Sequence, residues 1–192
     1  MLIGILALQG AVEPHESKLK SLGVGTRLIK KKEELEGLSG LILPGGESTT
    51  IIHLLKLHGL WIDLKLFVKQ KPVWGLCAGA ILLAKQVSSP SQESLGALNV
   101  SVTRNAYGRQ TESFLSSLQP SKEIKNLEAF EGVFIRAPRI EQVGKDVEVL
   151  YEWNHEPVMV RQGFILASTF HPELTESNHL HKYFVSLCEE SG

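Results

Sequence analysis

With 192 residues, 20 Lys and Arg against 21 Asp and Glu and a formal charge of -1, the chain has no overall field to recruit nucleic acid or an anionic membrane. Its length suits one domain, residues 1–192, able to bury a core without disulfides or structural metals. The two cysteines, Cys77 and Cys188, match neither a disulfide framework nor a metal spacing, so a reducing, cytoplasmic setting is expected.

The chain opens on an apolar run, Leu2 to Leu8, that lacks a basic leader and is too short for a signal peptide or a membrane span. It reads as a strand covered on both faces. Pro14 to Leu22 then carries helical spacing closed by Gly23, and Val24 to Ile29 alternates as a second strand. The basic run Lys30 to Lys32 meets Glu33, Glu34 and Glu36 at once, which makes it a solvated helix start. Leu41 to Leu43 and Val73 to Leu76 are two further short strands, each followed by glycines and then a helix, Thr49 to Leu57 and Ala78 to Ala84. This alternation predicts an α/β fold: a mostly parallel central sheet flanked by helices. From Leu95 onward the texture is strand-like, with Leu98 to Thr103, Gly132 to Ile135, Val147 to Glu152, and Val158 to Phe170 folded at Gln162-Gly163. These predict antiparallel strands at one edge of the sheet. Leu180, Phe184, Leu187 and Cys188 then recur at helical spacing in a closing helix, which makes Cys188 a core residue.

Gly75-Leu76-Cys77-Ala78-Gly79 sets a cysteine between glycines where a strand meets a helix, the pattern of a nucleophile elbow with Cys in place of Ser. The helix N-terminus favours the thiolate and lends the Ala78 N–H to an oxyanion hole. A buried, inert cysteine is the plainer alternative. Pro44-Gly45-Gly46-Glu47-Ser48-Thr49 follows another strand, and its backbone N–H groups suit an oxyanion or a carboxylate. A tight turn with Ser48 or Thr49 as helix N-cap explains it equally well, and both readings can hold. Of seven histidines, His171 ends an apolar run and precedes Pro172-Glu173. The proline favours an extended His171, which brings side chains 171 and 173 to one side, where the carboxylate fixes the imidazole tautomer. A surface turn is the competing explanation. His15, His53, His58, His155, His179 and His181 read as helix-surface or loop residues. Arginines stand beside apolar strand ends in Thr103 to Gln110 and in Phe134 to Pro138, where they either bind a carboxylate or form internal salt bridges.

Taken together, Leu8 to Val12, Pro44 to Thr50, Gly75 to Gly79, Arg104 to Gln110, Val133 to Pro138 and His171 to Thr175 resemble the class I glutamine amidotransferases. Within that group they resemble the glutaminase subunits of pyridoxal 5'-phosphate synthase. The resemblance implies a flavodoxin-like α/β fold and a glutaminase with Cys77 as nucleophile, His171 as base and acid, and Glu173 as orienting carboxylate. It further implies that Gly46, Glu47, Ser48, Arg104, Ile135 and Arg136 hold glutamine, with backbone N–H groups at Gly46 and Ala78 as the oxyanion hole. Ammonia would pass to a pyridoxal 5'-phosphate synthase subunit, with no metal and no bound cofactor required. The elbow by itself leaves open another cysteine hydrolase or peptidase, or a catalytically silent regulatory subunit on the same fold.

Overall fold

The computed structural model describes residues 1–104, 106, 113–121, 124 and 127–192. In chain order the elements are β1 (Leu2–Leu6), α1 (Glu13–Ser21), β2 (Gly25–Ile29), β3 (Gly40–Leu43), α2 (Ser48–Leu57), α3 (Trp61–Phe67), β4 (Val73–Leu76), α4 (Ala78–Leu83) and β5 (Ala84–Ser88). They continue as β6 (Leu98–Thr103), β7 (Ser113–Pro120), β8 (Phe130–Ile135), β9 (Arg139–Val143), β10 (Glu148–Trp153), β11 (Glu156–Gln162), β12 (Ile165–Ser168) and α5 (His179–Glu190). Short 3-10 turns cover Lys32–Leu35 and Pro172–Leu174. Among the described residues, no helix is long and apolar enough to cross a membrane.

The main sheet runs β2-β1-β3-β4-β12-β11-β10-β7-β8. Its first five strands are parallel and the rest are joined antiparallel. The expected α/β sheet with an antiparallel edge is therefore present. Strands β3 and β4 are buried along their whole length, which is why they read as unbroken apolar runs rather than alternating ones. One core cluster lies around α2, α3 and α4, the other around α1, α5 and the aromatic residues of the antiparallel half.

Several expectations need correction. Leu98 to Thr103 does not join the main sheet but forms a separate three-stranded sheet, β5-β6-β9, in which β5 and β6 run parallel. The helix expected to reach Ala84 stops at Leu83, and the chain passes directly into β5. Elements α3, β5, β7 and β9 had no clear periodic signal. The Lys30 to Lys32 run does start a helical turn: the Glu34 carboxylate accepts the N–H groups of Lys30 and Lys31 at 2.6 and 2.9 Å, and the lysines stay in solvent. Asn105 and residues 107–110 of the arginine-rich segment lie outside the described residues.

The turn from β4 into α4 is closely packed. A Cβ at Gly75 would lie 2.5 Å from the Gly79 backbone, and one at Gly79 would overlap the Leu43 carbonyl oxygen. Backbone cannot yield as a side chain can, so Gly79→Ala is expected to destabilise the fold by about 1–3 kcal/mol. A urea or thermal melt checks this, with the thermal midpoint dropping by about 2–4 °C for each kcal/mol.

Candidate active site

Parallel pairing places the C-terminal ends of β3, β4 and β12 side by side: Leu43 is paired with Gly75, and Leu76 with Ser168. Cys77 follows directly on β4, and its N–H extends the ladder to the Ser168 carbonyl at 2.8 Å. Its backbone adopts φ 48° and ψ -103°, a conformation that costs a side-chain-bearing residue about 1–3 kcal/mol and is found where a site demands it. The expected elbow is thus present, with the sulfur residue at the start of a fully buried α4.

His171 emerges just beyond the neighbouring strand β12. Its N–H donates to Val133 O at 2.8 Å, and its ring faces the Cys77 side chain across the wall of one cavity. On the other side, Nδ1 lies 2.7 Å from Glu173 Oε1. Residues 171 and 173 meet as expected, but through the 3-10 turn Pro172–Leu174 rather than through an extended chain. Burial alone would lower the His171 pKa. The neighbouring Cys77 side chain and the hydrogen bond to the Glu173 carboxylate, with its negative charge, outweigh it and raise the value to about 10. Burial would likewise raise the Glu173 carboxyl, yet the bond from His171 and the surrounding charges hold it below the ordinary carboxylate value. The arrangement can therefore store a proton on His171 beside the Cys77 side chain.

These two side chains open onto a cavity of about 330 Å³ that is also lined by Gly46, Glu47, Ser48, Arg104, Ile135 and Arg136. A larger groove of about 1010 Å³ lies elsewhere, past Gln119, Pro120 and His155, with neither cysteine in its lining. The cavity, rather than the larger groove, is where chemistry and space coincide. Each group reaches it by a separate route. Glu47 is the N-cap of α2, which corrects the expectation of Ser48 or Thr49 there; the Ser48 hydroxyl instead donates to Gln92 at 2.9 Å. Arg104 leaves the end of β6 and pairs with Glu47 at 2.9 Å, so its internal salt bridge and its place in the cavity wall are both real. Arg136 follows directly on β8, at φ 41°. A Cβ on Gly45 would lie 2.5 Å from His171 Cε1 and 3.6 Å from Cys77 Cβ, so only glycine fits behind the pair.

A family model described as the SNO glutamine amidotransferase family matches residues 5–190. The chain belongs to the SNO glutamine amidotransferase family. The pyridoxal 5'-phosphate synthase subunit PdxT of Thermotoga maritima is 48% identical over 192 residues, covering 98% of this amidotransferase and 100% of the relative. The PdxT of Thermus thermophilus is 49% identical over 189 residues, 97% of each chain. A crystal structure of a glutamine amidotransferase superposes with a TM-score of 0.90 at 48% identity, covering 97% of this chain and 98% of that one. PurLQS from Thermotoga maritima, at 14% identity and a TM-score of 0.71 over 96% of this chain and 97% of that one, shares the fold.

Sequence reasoning missed three residues of the amidotransferase's cavity: Gln9, Ile81 and Pro138. Gln9 follows β1, whose C-terminal end lies beside that of β3, and its side-chain oxygen accepts the Glu47 N–H at 2.8 Å. That position after a parallel strand was the available signal. The reading of His15 and His181 as surface residues is wrong, since both are fully buried, whereas His53, His58 and His155 are exposed and His179 is half-buried. Burial pulls His15 from the ordinary 6.5 down to about 4, and burial with the neighbouring His15 and Lys18 takes His181 to about 2.

The sign of their effect on stability follows. Below about pH 6.5 an unfolded histidine takes up a proton that folded His15 refuses until about 4. The unfolded state then binds more protons, so stability decreases as the pH is lowered, by about 1.4 kcal/mol per pH unit for each such group. His15→Leu should make the decline between these values shallower by about that slope. Urea midpoints measured at stepped pH check it.

Proposed function

We propose that this chain hydrolyses L-glutamine to L-glutamate and ammonia through a thioester on Cys77 and delivers the ammonia to a pyridoxal 5'-phosphate synthase subunit, in vitamin B6 biosynthesis. The observation that carries the mechanism is that Cys77 and His171 share the wall of one cavity while Glu173 is hydrogen-bonded to the His171 ring. Kinship with the PdxT subunits supports the substrate and the acceptor. In this reading residues 1–192 form one glutaminase domain. Both cysteines are free, which suits the reducing cytoplasm.

The Cys77 thiolate attacks the side-chain amide carbon, and the carbonyl oxygen takes up the negative charge, facing backbone N–H groups at Gly46 and at Ala78, the first residue of α4. Collapse of the adduct breaks the C–N bond as His171 gives its proton to the nitrogen, so ammonia leaves and a thioester remains. Water then loses a proton to His171 as its oxygen adds to the thioester carbon. The C–S bond breaks, releasing glutamate and restoring the thiolate. Glu173, held at 2.7 Å, keeps Nδ1 of the imidazole protonated and compensates its positive charge throughout. Arg104 and Arg136 supply cations for the α-carboxylate of a free amino acid.

Cys77→Ser is expected to abolish ammonia release from glutamine with the fold intact, whereas Cys188→Ser, in the core on α5, retains it. Glutamate formation assayed beside circular dichroism decides the matter, and equal losses in the two variants would overturn the assignment. Arg136→Ala should lower kcat/KM for glutamine by about 10- to 100-fold, the loss typical of a charge-assisted contact of about 1.5–3 kcal/mol. Steady-state kinetics with the melting temperature as control reads it.

A further inference from the structure

Behind the carboxylate of Glu173 sit two histidines for which the hydrolysis above has no task. His15 on α1 and His181 on α5 are fully buried, and His15 Nδ1 lies 3.0 Å from His181 Nε2. The remaining nitrogen of His15, Nε2, is 3.8 Å from Glu173 Oε2. Both of these facing atoms are buried without another hydrogen-bond partner among the described residues, while Oε1 of the same carboxylate is held by His171. Closing the gap by about 1 Å would give a charge-assisted bond of ordinary length and satisfy both atoms.

The carboxylate dictates where the protons are. An ionised carboxylate oxygen only accepts, so the His15 nitrogen facing it must carry hydrogen. A neutral His15 protonated on Nε2 presents a bare Nδ1, which has to accept from His181 Nε2–H. The opposite arrangement would set two lone pairs against each other at the buried carboxylate. The charged and titratable groups facing His15 are Glu173, His171, His181 and Lys18. The Trp74 ring closes the pocket, 6.4 Å from His15 and 5.0 Å from His181 between ring centres.

We propose that His15 is a positioning residue of this glutaminase: as a neutral donor it clamps Oε2 of Glu173, so that Oε1 stays aimed at His171, and His181 fixes the tautomer of His15. The proposal rests on the glutaminase reading. It adds a second, opposite support to a carboxylate whose other oxygen is held by His171.

The test uses the full-length chain assembled with its synthase subunit. In His15→Gln the amide Nε2 takes the place of the imidazole Nε2 and still donates, whereas His15→Leu has no donor. The leucine variant is expected to lose kcat by about tenfold or more, the lower end for a hydrogen bond to a charged group, with KM for glutamine within about twofold. It should also move the acid limb of kcat/KM to higher pH, because the unclamped carboxylate is easier to protonate. The glutamine variant should recover most of both. Equal impairment of the two variants, or a lower melting temperature with unchanged kcat and pH profile, would overturn the clamp and leave a packing role. A measurement independent of activity uses the labelled wild-type chain. Its imidazole 15N resonances should show both rings neutral and protonated at Nε2 from about pH 5 to 8, and an Nδ1–H tautomer of His15 or a charged ring at pH 7 overturns the proposal. A wild-type complex inactive toward glutamine would instead overturn the glutaminase reading, which keeps the two failures apart.

Discussion

Two parallel ladders, β3 on one side of β4 and β12 on the other, set where Cys77 and His171 come together. Because all three strands point the same way, their C-terminal ends come out along one line, with Leu43 level with Gly75 and Leu76 level with Ser168. The residues that follow them, the diglycine turn, Cys77 and His171, come from segments well separated in sequence. They become neighbours without any of them being placed by a flexible loop. This is the crevice at strand carboxyl ends that open α/β sheets use for ligands. The strain at Cys77 is held by the same ladder, through its N–H to Ser168 and through the closely packed Gly75 and Gly79 beneath it.

The antiparallel half solves a different problem. Strand β8 lies at the far edge of the sheet, yet its Val133 carbonyl accepts the His171 N–H. The sheet curls far enough for its last strand to return to the site. An aromatic cluster fills the curl: Phe170 packs against Phe130 and Phe134 with ring centres 5.6 and 5.7 Å away, and Phe134 stacks on Phe114 at 4.7 Å. Burying rings of this size supplies the apolar driving force for the closure. The closure brings Ile135 and Arg136 into the lining of the same cavity as Gly46 of the diglycine turn.

How much of this was legible in the sequence depended on whether a residue's role was local. The elbow, the diglycine turn and His171-Pro172-Glu173 each announce themselves within a few residues, and the buried parallel strands announce themselves as apolar runs. Strand β5 was hidden because Ala84–Ser88 buries only Ala84 and Val87 and leaves its polar residues in solvent, so its pattern merges with the end of α4. His15 was hidden by company: Glu13, Pro14, Glu16 and Ser17 make the start of α1 look polar. Only the four-residue spacing to buried Leu19 hints that position 15 faces inward. His181 likewise shares its face with Phe184 and Cys188, a spacing that was used to place the cysteine in the core but not the histidine. Burial of a polar side chain is a tertiary fact, because it needs a partner from another element, and no local pattern names that partner.

The ion pair between Arg104 and Glu47 at the cavity wall bears on what the pocket admits. On the proposed reading it imitates the charges of the guest: a free amino acid carries one anion and one cation on adjacent atoms, and can trade a carboxylate for Glu47 at the guanidinium and an ammonium for Arg104 at the carboxylate. A glutamine side chain borne by a polypeptide has its flanking groups tied up in amides and brings no such pair to exchange. On that reading the wall carries its own ion pair, and the guest matched to it is one that brings both charges together.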